Sequence, residues 1–202
     1  MVSWGAYAQF SFHLIDNFED GNYTSSPKWW EFGGLKLEAS ATPTVEGRDL
    51  ISESCGDYAL FLSGATSNWY VGGIGTDLGG MDATQYSRCQ LDVYGSNEYR
   101  GKLVVELYED DNGNYMIEQN SNYDPTADDK WVAEVNVQGK GWTRVSIPFT
   151  AFRDANTGVG DGIWNPDQQN GSGGLLKLQI VAIADKPEGK VNFGIDNILL
   201  TY

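Results

Sequence analysis

The chain has 202 residues and a formal net charge of −15, from 28 acidic and 13 basic side chains. That balance argues against nucleic acid and anionic membranes as partners, because both are bound through a basic footprint. No run reaches the roughly 18 apolar residues of a membrane-spanning helix, so membrane insertion is not expected. The length suits one all-β domain, and 25 Gly with 7 Trp, 11 Tyr and 8 Phe point to short strands, tight turns and flat side chains for packing or stacking.

Residues 1–12 read as an N-terminal extension to a single β-sandwich domain spanning 13–202. Ala6-Tyr7-Ala8 fits the small-x-small pattern of a signal-peptide cleavage site. The stretch is either a signal-peptide remnant or, since Val2 to Phe12 partly alternates, a donor strand that adds to a neighbour's sheet edge.

Strand-like runs then recur every 8–15 residues or so, with turn signals between them and almost no helical periodicity. Phe10–Ile15 comes first, with the single histidine, His13, as a strand surface or packing residue. Trp29–Phe32 and Leu35–Ala41 follow, and the Trp29-Trp30 pair is expected to include one core residue. Tyr58–Leu62, Trp69–Ile74, Tyr86–Tyr94 and Leu103–Glu109 are the next four. Asn112-Gly113 is a hairpin signal that predicts a return strand over Tyr115–Gln119. Trp131–Val137 and Trp142–Pro148 form a second hairpin across Gly139-Lys140-Gly141, with Trp142 expected in the core. Lys177–Ile183 and Val191–Leu200 close the fold. Two long irregular stretches, 120–129 and 153–174, are of a length that in compact domains usually carries function or is disordered.

Cys55 and Cys89 either pair, closing a loop of about 34 residues in an exported protein, or remain two buried thiols. No Gly-x-Ser-x-Gly elbow is present and one histidine is too few for a metal hydrolase, so the chain reads as non-catalytic. The segment Asp110–Asn114 has an early Gly and no acid at the twelfth position, so it reads as a plain turn and not a calcium loop.

The acidic LIDNFEDG segment near the start and the closing IDNILL strand suggest chain ends lying side by side, with carboxylates able to share a cation. Together with GDYAL and WTRVSIPFTAFR, in that order, these segments resemble the galactose-binding-like jelly rolls, most closely carbohydrate-binding modules of family eleven and relatives such as family thirty. The resemblance runs from Leu14 to Leu200 and implies a jelly-roll β-sandwich. It further implies a structural calcium held by Glu19 and Asp196, with Asp16, Asp20 or Asn22 as further oxygen donors. It also implies a concave face that binds polysaccharide by stacking and hydrogen bonds. Arg153 matches the Arg after the IPF-x-x-F motif, with Asp154 beside it, and the aromatic candidates are Trp69, Tyr70, Tyr108, Tyr115, Tyr123 and Trp164. On the penultimate strand, LQIVAIAD offers no aromatic where these modules carry one. The resulting expectation is a secreted, non-catalytic carbohydrate-binding sandwich. The alternative is a structural subunit of an extracellular filament or surface layer, joined to like subunits through residues 1–12.

Overall fold

The computed structural model describes residues 12–43 and 55–202. The predicted N-terminal extension therefore lies, but for Phe12, outside the described residues. Phe12 already belongs to the first strand. In chain order the described strands are β1 (Phe12–Asp16), β2 (Trp30–Gly33), β3 (Lys36–Ala41), β4 (Tyr58–Ala65), β5 (Tyr70–Met81), β6 (Arg88–Ser96), β7 (Gly101–Asp110), β8 (Asp129–Val137), β9 (Lys140–Pro148), β10 (Arg153–Asp154), β11 (Gly174–Ala184) and β12 (Lys190–Thr201).

They form two antiparallel sheets, one ordered β3-β4-β12-β6-β9 with β1 also on β12, the other β10-β8-β7-β11-β5-β2. This is the all-β jelly-roll sandwich that the family resemblance implies. Alternation places Leu103, Val105 and Leu107 of β7 and Leu178, Ile180 and Ala182 of β11 in the core, against Leu60, Leu62, Leu91, Phe193 and Ile195 of the first sheet. The alternate residues of β7 and β11 are left on the outer face of the second sheet.

The chain ends meet on β12. Its first half, Lys190 to Ile195, pairs with β4, and its second half, Ile198 to Thr201, pairs with β1. The handover falls at Asp196-Asn197, where Asn197 has φ 46° and the register with β6 shifts. A bulge of this kind re-aims side chains, and here it turns Asp196 toward the start of the chain.

The expected return strand over Tyr115–Gln119 does not form. Asp110 accepts hydrogen bonds from the backbone N–H groups of Asn112, Gly113 and Tyr115, at 3.2, 2.8 and 2.7 Å. These bonds wrap the chain into a turn before a second strand can start, leaving only a bridge between Gln119 and Pro125. Strand β8 pairs with β7 instead, after a loop over 111–128.

Of the two alternatives for Cys55 and Cys89, the structure shows the second: both are free, buried thiols. Cys89 points into the main core, whereas Cys55 lies with Ala59 and Trp142 in a small cluster on the outer face of the first sheet. The sheet itself stands between the two sulfurs. Trp142 is buried as expected, but in that outer cluster.

Candidate functional site

The outer face of the second sheet carries a cleft of about 820 Å³. Its floor comes from the outward residues of adjacent strands: Val104, Glu106 and Tyr108 on β7, Lys177, Gln179, Val181 and Ile183 on β11, and Lys130 on β8. Trp30 and Phe32 of β2 and Tyr70 of β5 form one wall, and Gln119, Tyr123 and Asp124 from the 111–128 loop form the other.

The aromatic wall depends on glycine. Trp30 lies opposite Gly75 and Phe32 opposite Gly73 across the β2–β5 ladder. A Cβ at residue 75 would strike the Trp30 indole, and one at 73 the Phe32 ring. Two bare backbone positions thus let both rings lie down on the sheet. The missing aromatic on β11 is supplied by β2, an edge strand two positions away in the same sheet.

A polar ladder runs beside the rings. The Tyr108 hydroxyl donates to Glu106 Oε2 at 2.8 Å and sits 2.9 Å from Gln179 Oε1. Lys130 Nζ is 3.3 Å from Glu106 Oε1. Lys177 Nζ stands 5.1 Å from the Tyr108 ring centre and 5.9 Å from that of Trp30, within cation–π range. Burial pushes the Lys177 ammonium below its ordinary pKa, while burial, reinforced by Glu106, pushes the Tyr70 and Tyr108 phenols up. The cleft therefore offers flat apolar faces next to fixed donors and acceptors, the pairing that a pyranose ring needs on its C–H face and its hydroxyl edge.

Of the predicted glycan contacts, Tyr70, Tyr108 and Tyr123 line this cleft. Trp69 lies just outside, half exposed, in an adjoining depression of about 510 Å³ with Arg100, Lys102 and Asp185. Arg153 sits on the rim strand β10, its guanidinium 3.7 Å from Glu134, and Asp154 accepts from Asn156 N at 2.8 Å. Tyr115 covers Gly80 away from the cleft. Trp164 packs on Phe149 and Trp131, with ring centres 4.8 and 5.7 Å away, so core packing occupies it. Trp30, Phe32, Glu106, Gln179, Lys130 and Lys177 were not singled out in the sequence. The available signal was the glycine alternation in YVGGIGTD of β5, which marks a strand face left open for neighbouring rings.

The predicted metal ligands separate into two groups, Asp16, Asp20 and Asn22 bonded within the N-terminal turn, and Glu19 with Asp196. Asp16 spends one oxygen on Phe18 N, at 2.8 Å, and the other on Trp29 Nε1, at 2.7 Å. Asn22 Oδ1 caps Thr24 and Ser25, and its Nδ2 donates to Asp20. Both residues serve the turn through these bonds. Asp196 lies within the field of Glu19. Burial, with Asp92 and Glu19 adding repulsion, pushes the Asp196 carboxyl up to about 8, and its Oδ2 is buried without a hydrogen-bond partner among the described residues. Glu19 is positioned by the N–H groups of Asp57 and Tyr58 at 3.0 and 2.9 Å. A carboxylate pair of this kind fits a cation. Neighbouring Asp92 is already neutralised by Arg144, in a two-pronged contact at 2.8 and 2.7 Å.

A further acidic group escaped the sequence reading. Glu109, Asp111 and Asp129 bring one oxygen each to within 4.8 Å of one another. Burial first, then repulsion from neighbouring carboxylates (Asp111 and Asp129 for Glu109, Asp129 and Asp161 for Asp111, Asp154 and Asp161 for Asp129), pushes these carboxyls up, to about 8, 7 and 6 respectively.

No curated protein matches the chain. Among solved structures, a family 11 carbohydrate-binding module of a cellulosomal cellulase of Clostridium thermocellum is 18% identical, with 96% of this chain and 95% of that one covered and a TM-score of 0.56. A family 11 module from the same organism, in complex with a β-1,3-1,4-mixed-linked tetrasaccharide, gives 18% identity, 96% coverage of both chains and a TM-score of 0.57. The CBM22-1 xylan-binding domain from Paenibacillus barcinonensis gives 14% identity, 96% and 97% coverage and a TM-score of 0.52. These likenesses establish the shared jelly-roll β-sandwich fold. A family model described as the surface glycan-binding protein B xyloglucan-binding domain matches residues 79–199, from the end of β5 through most of β12, and the chain belongs to that family.

Proposed function

We propose that this domain is a non-catalytic, exported glycan-binding module whose cleft holds a β-linked glucan chain such as the backbone of xyloglucan. The observation that carries the reading is the juxtaposition of Trp30 and Phe32, laid on Gly75 and Gly73, with the Glu106–Tyr108–Gln179–Lys177 ladder. Stacking on the rings supplies most of the apolar burial, and the ladder reads hydroxyls along one edge. The xyloglucan-binding family, with the mixed-linked tetrasaccharide and the xylan bound by its structural neighbours, favours a β-glycan over an α-glucan. Glu19 and Asp196 would hold a structural calcium, its remaining oxygens coming from backbone carbonyls and water. That ion would tie the start of the chain to β12.

Isothermal titration with xyloglucan, mixed-linked β-glucan and xylan, against amylose as control, tests the reading. Binding to at least one of the first three, lost on Trp30→Ala, is expected. Retention of full affinity in Trp30→Ala, or absence of binding to all three, rejects it.

A further inference from the structure

Strands β7 and β8 end and begin beside carboxylates that the cleft does not use. Glu109 and Asp110 close β7, Asp111 follows, and Asp128 and Asp129 open β8 after the intervening loop. Asp110 is consumed by its turn, and both oxygens of Glu109 accept hydrogen bonds, whereas Asp111, Asp128 and Asp129 each leave one oxygen over. Asp111 Oδ2 accepts from Asp129 N at 2.7 Å, Asp129 Oδ2 from Gly162 N at 2.8 Å, and Asp128 Oδ1 from Asp111 N at 3.2 Å. The second oxygens, Asp111 Oδ1, Asp128 Oδ2 and Asp129 Oδ1, are buried and have no hydrogen-bond partner among the described residues. Glu109, Asp128 and Asp129 are 0% exposed. Among the described residues no ion pair reaches any of the four.

Native proteins rarely leave buried carboxylate oxygens both unbonded and without counter-charge. The neighbouring loop also fits closely around this group. Gly160, at φ 71°, approaches so near that a Cβ there would strike Asp111 Oδ2 and Asp129 Oδ1. Trp131 Nε1 and Asn165 N hold Glu109 at 3.0 and 2.7 Å, fixing its carboxylate in the cluster.

We propose that Glu109, Asp111 and Asp129, with Asp128 at their margin, form a second cation site, for a hard divalent ion of the calcium class. An all-oxygen donor set with no imidazole or thiolate selects hard cations over zinc or copper. The site is distinct from the Glu19–Asp196 pair, which sits where β12 passes from β4 to β1 in the other sheet. Its position matters for the cleft, a consequence that rests on the glycan-binding reading. Glu109 adjoins Tyr108 and Asp129 adjoins Lys130, and the loop between them carries Gln119 and Tyr123 of the cleft wall. A bound ion would pin both ends of that loop.

The test uses the chelator-stripped full chain carrying Asp196→Asn, which removes the other candidate pair. Terbium is titrated with excitation of tryptophan, since Trp131 donates to Glu109 and lies close enough to sensitise emission. Saturable emission, displaced by calcium and reduced at least tenfold by adding Asp111→Asn and Asp129→Asn, is expected. Melting temperatures with calcium and with chelator form the second readout. Calcium should raise the melting temperature of Asp196→Asn but not of the triple variant, and in chelator the triple variant should melt no lower than its parent. The proposal is overturned by absence of any calcium response in Asp196→Asn, or by an equal response in the triple variant. A triple variant that melts lower in chelator while keeping the calcium response also overturns it, and assigns these acids a purely structural role. No glycan enters the readout, so the outcome is independent of what the cleft binds.

Discussion

The indole of Trp30 occupies the space that a side chain at Gly75 would fill, directly across the β2–β5 ladder. The glycine is needed for its lack of a Cβ and not for backbone freedom, since its φ is not left-handed. Gly75→Ala should therefore leave the fold intact and lift the ring off the sheet. A fall in xyloglucan affinity of about tenfold, or ~1.4 kcal/mol, is expected by calorimetry. Trp30→Ala should cost more, about 2 kcal/mol, as a buried aromatic anchor in a binding surface does.

Lys177 trades stability for binding. Burial lowers its pKa from 10.5, so the folded state disfavours the charge. The penalty is fully present below the depressed folded pKa and disappears as pH rises toward 10.5, because the unfolded chain holds the proton longer. Lys177→Met should melt higher than wild type at pH 7, with the gap narrowing as pH approaches 10.5, and should bind glucan more weakly. Thermal melts across that range, paired with titrations at pH 7, check both signs. A lower melting temperature at pH 7 would mean that the contacts of Lys177 with Tyr108 and Trp30 outweigh its desolvation.

Much of the sandwich was legible because its strands alternate and end in turns. The runs over β6, β9 and β12 and the meeting of the chain ends followed from local pattern alone. The 111–128 loop was misread because Asn112-Gly113 is a strong hairpin signal, while the competing side-chain acceptor, Asp110, takes effect only through three backbone bonds in the folded loop. The cleft was half legible. Tyr70 and Tyr108 stood out as aromatics on strands, but Trp30 was inseparable from Trp29, which the structure buries in the core. Their division depends on which face of the sheet holding β2 and β5 packs against the other sheet, a long-range fact. The Glu109–Asp111–Asp129 cluster joins two chain segments separated by a loop, so no local spacing could announce it.

Arg144 should prove the most costly single surface-side truncation. Its guanidinium holds Asp92, whose side chain is fully buried, with two hydrogen bonds and a closest approach of 2.7 Å. Removing it strands a charge beside Asp196, which already repels it. Arg144→Met should destabilise by about 3 kcal/mol, in line with broken buried pairs. Arg144→Met combined with Asp92→Asn should recover much of the loss. Urea unfolding of the two variants measures this, and an equal loss in both would show that packing and not the stranded charge sets the cost.

The cysteines should be inert in the native protein. Cys89 sits in the main core and burial pushes its thiol up to about 12, so almost no thiolate exists at neutral pH. Cys55 is raised as well, first by burial and then by the Asp92 and Asp196 carboxylates. Thiolate is the reactive form, and the sheet separates the two sulfurs. An aromatic disulfide reagent should therefore titrate neither thiol at pH 8 in buffer and both in denaturant. The melting temperature should be the same with and without reductant. A reductant-dependent melt, or fewer than two thiols in denaturant, would restore the pairing that the fold argues against.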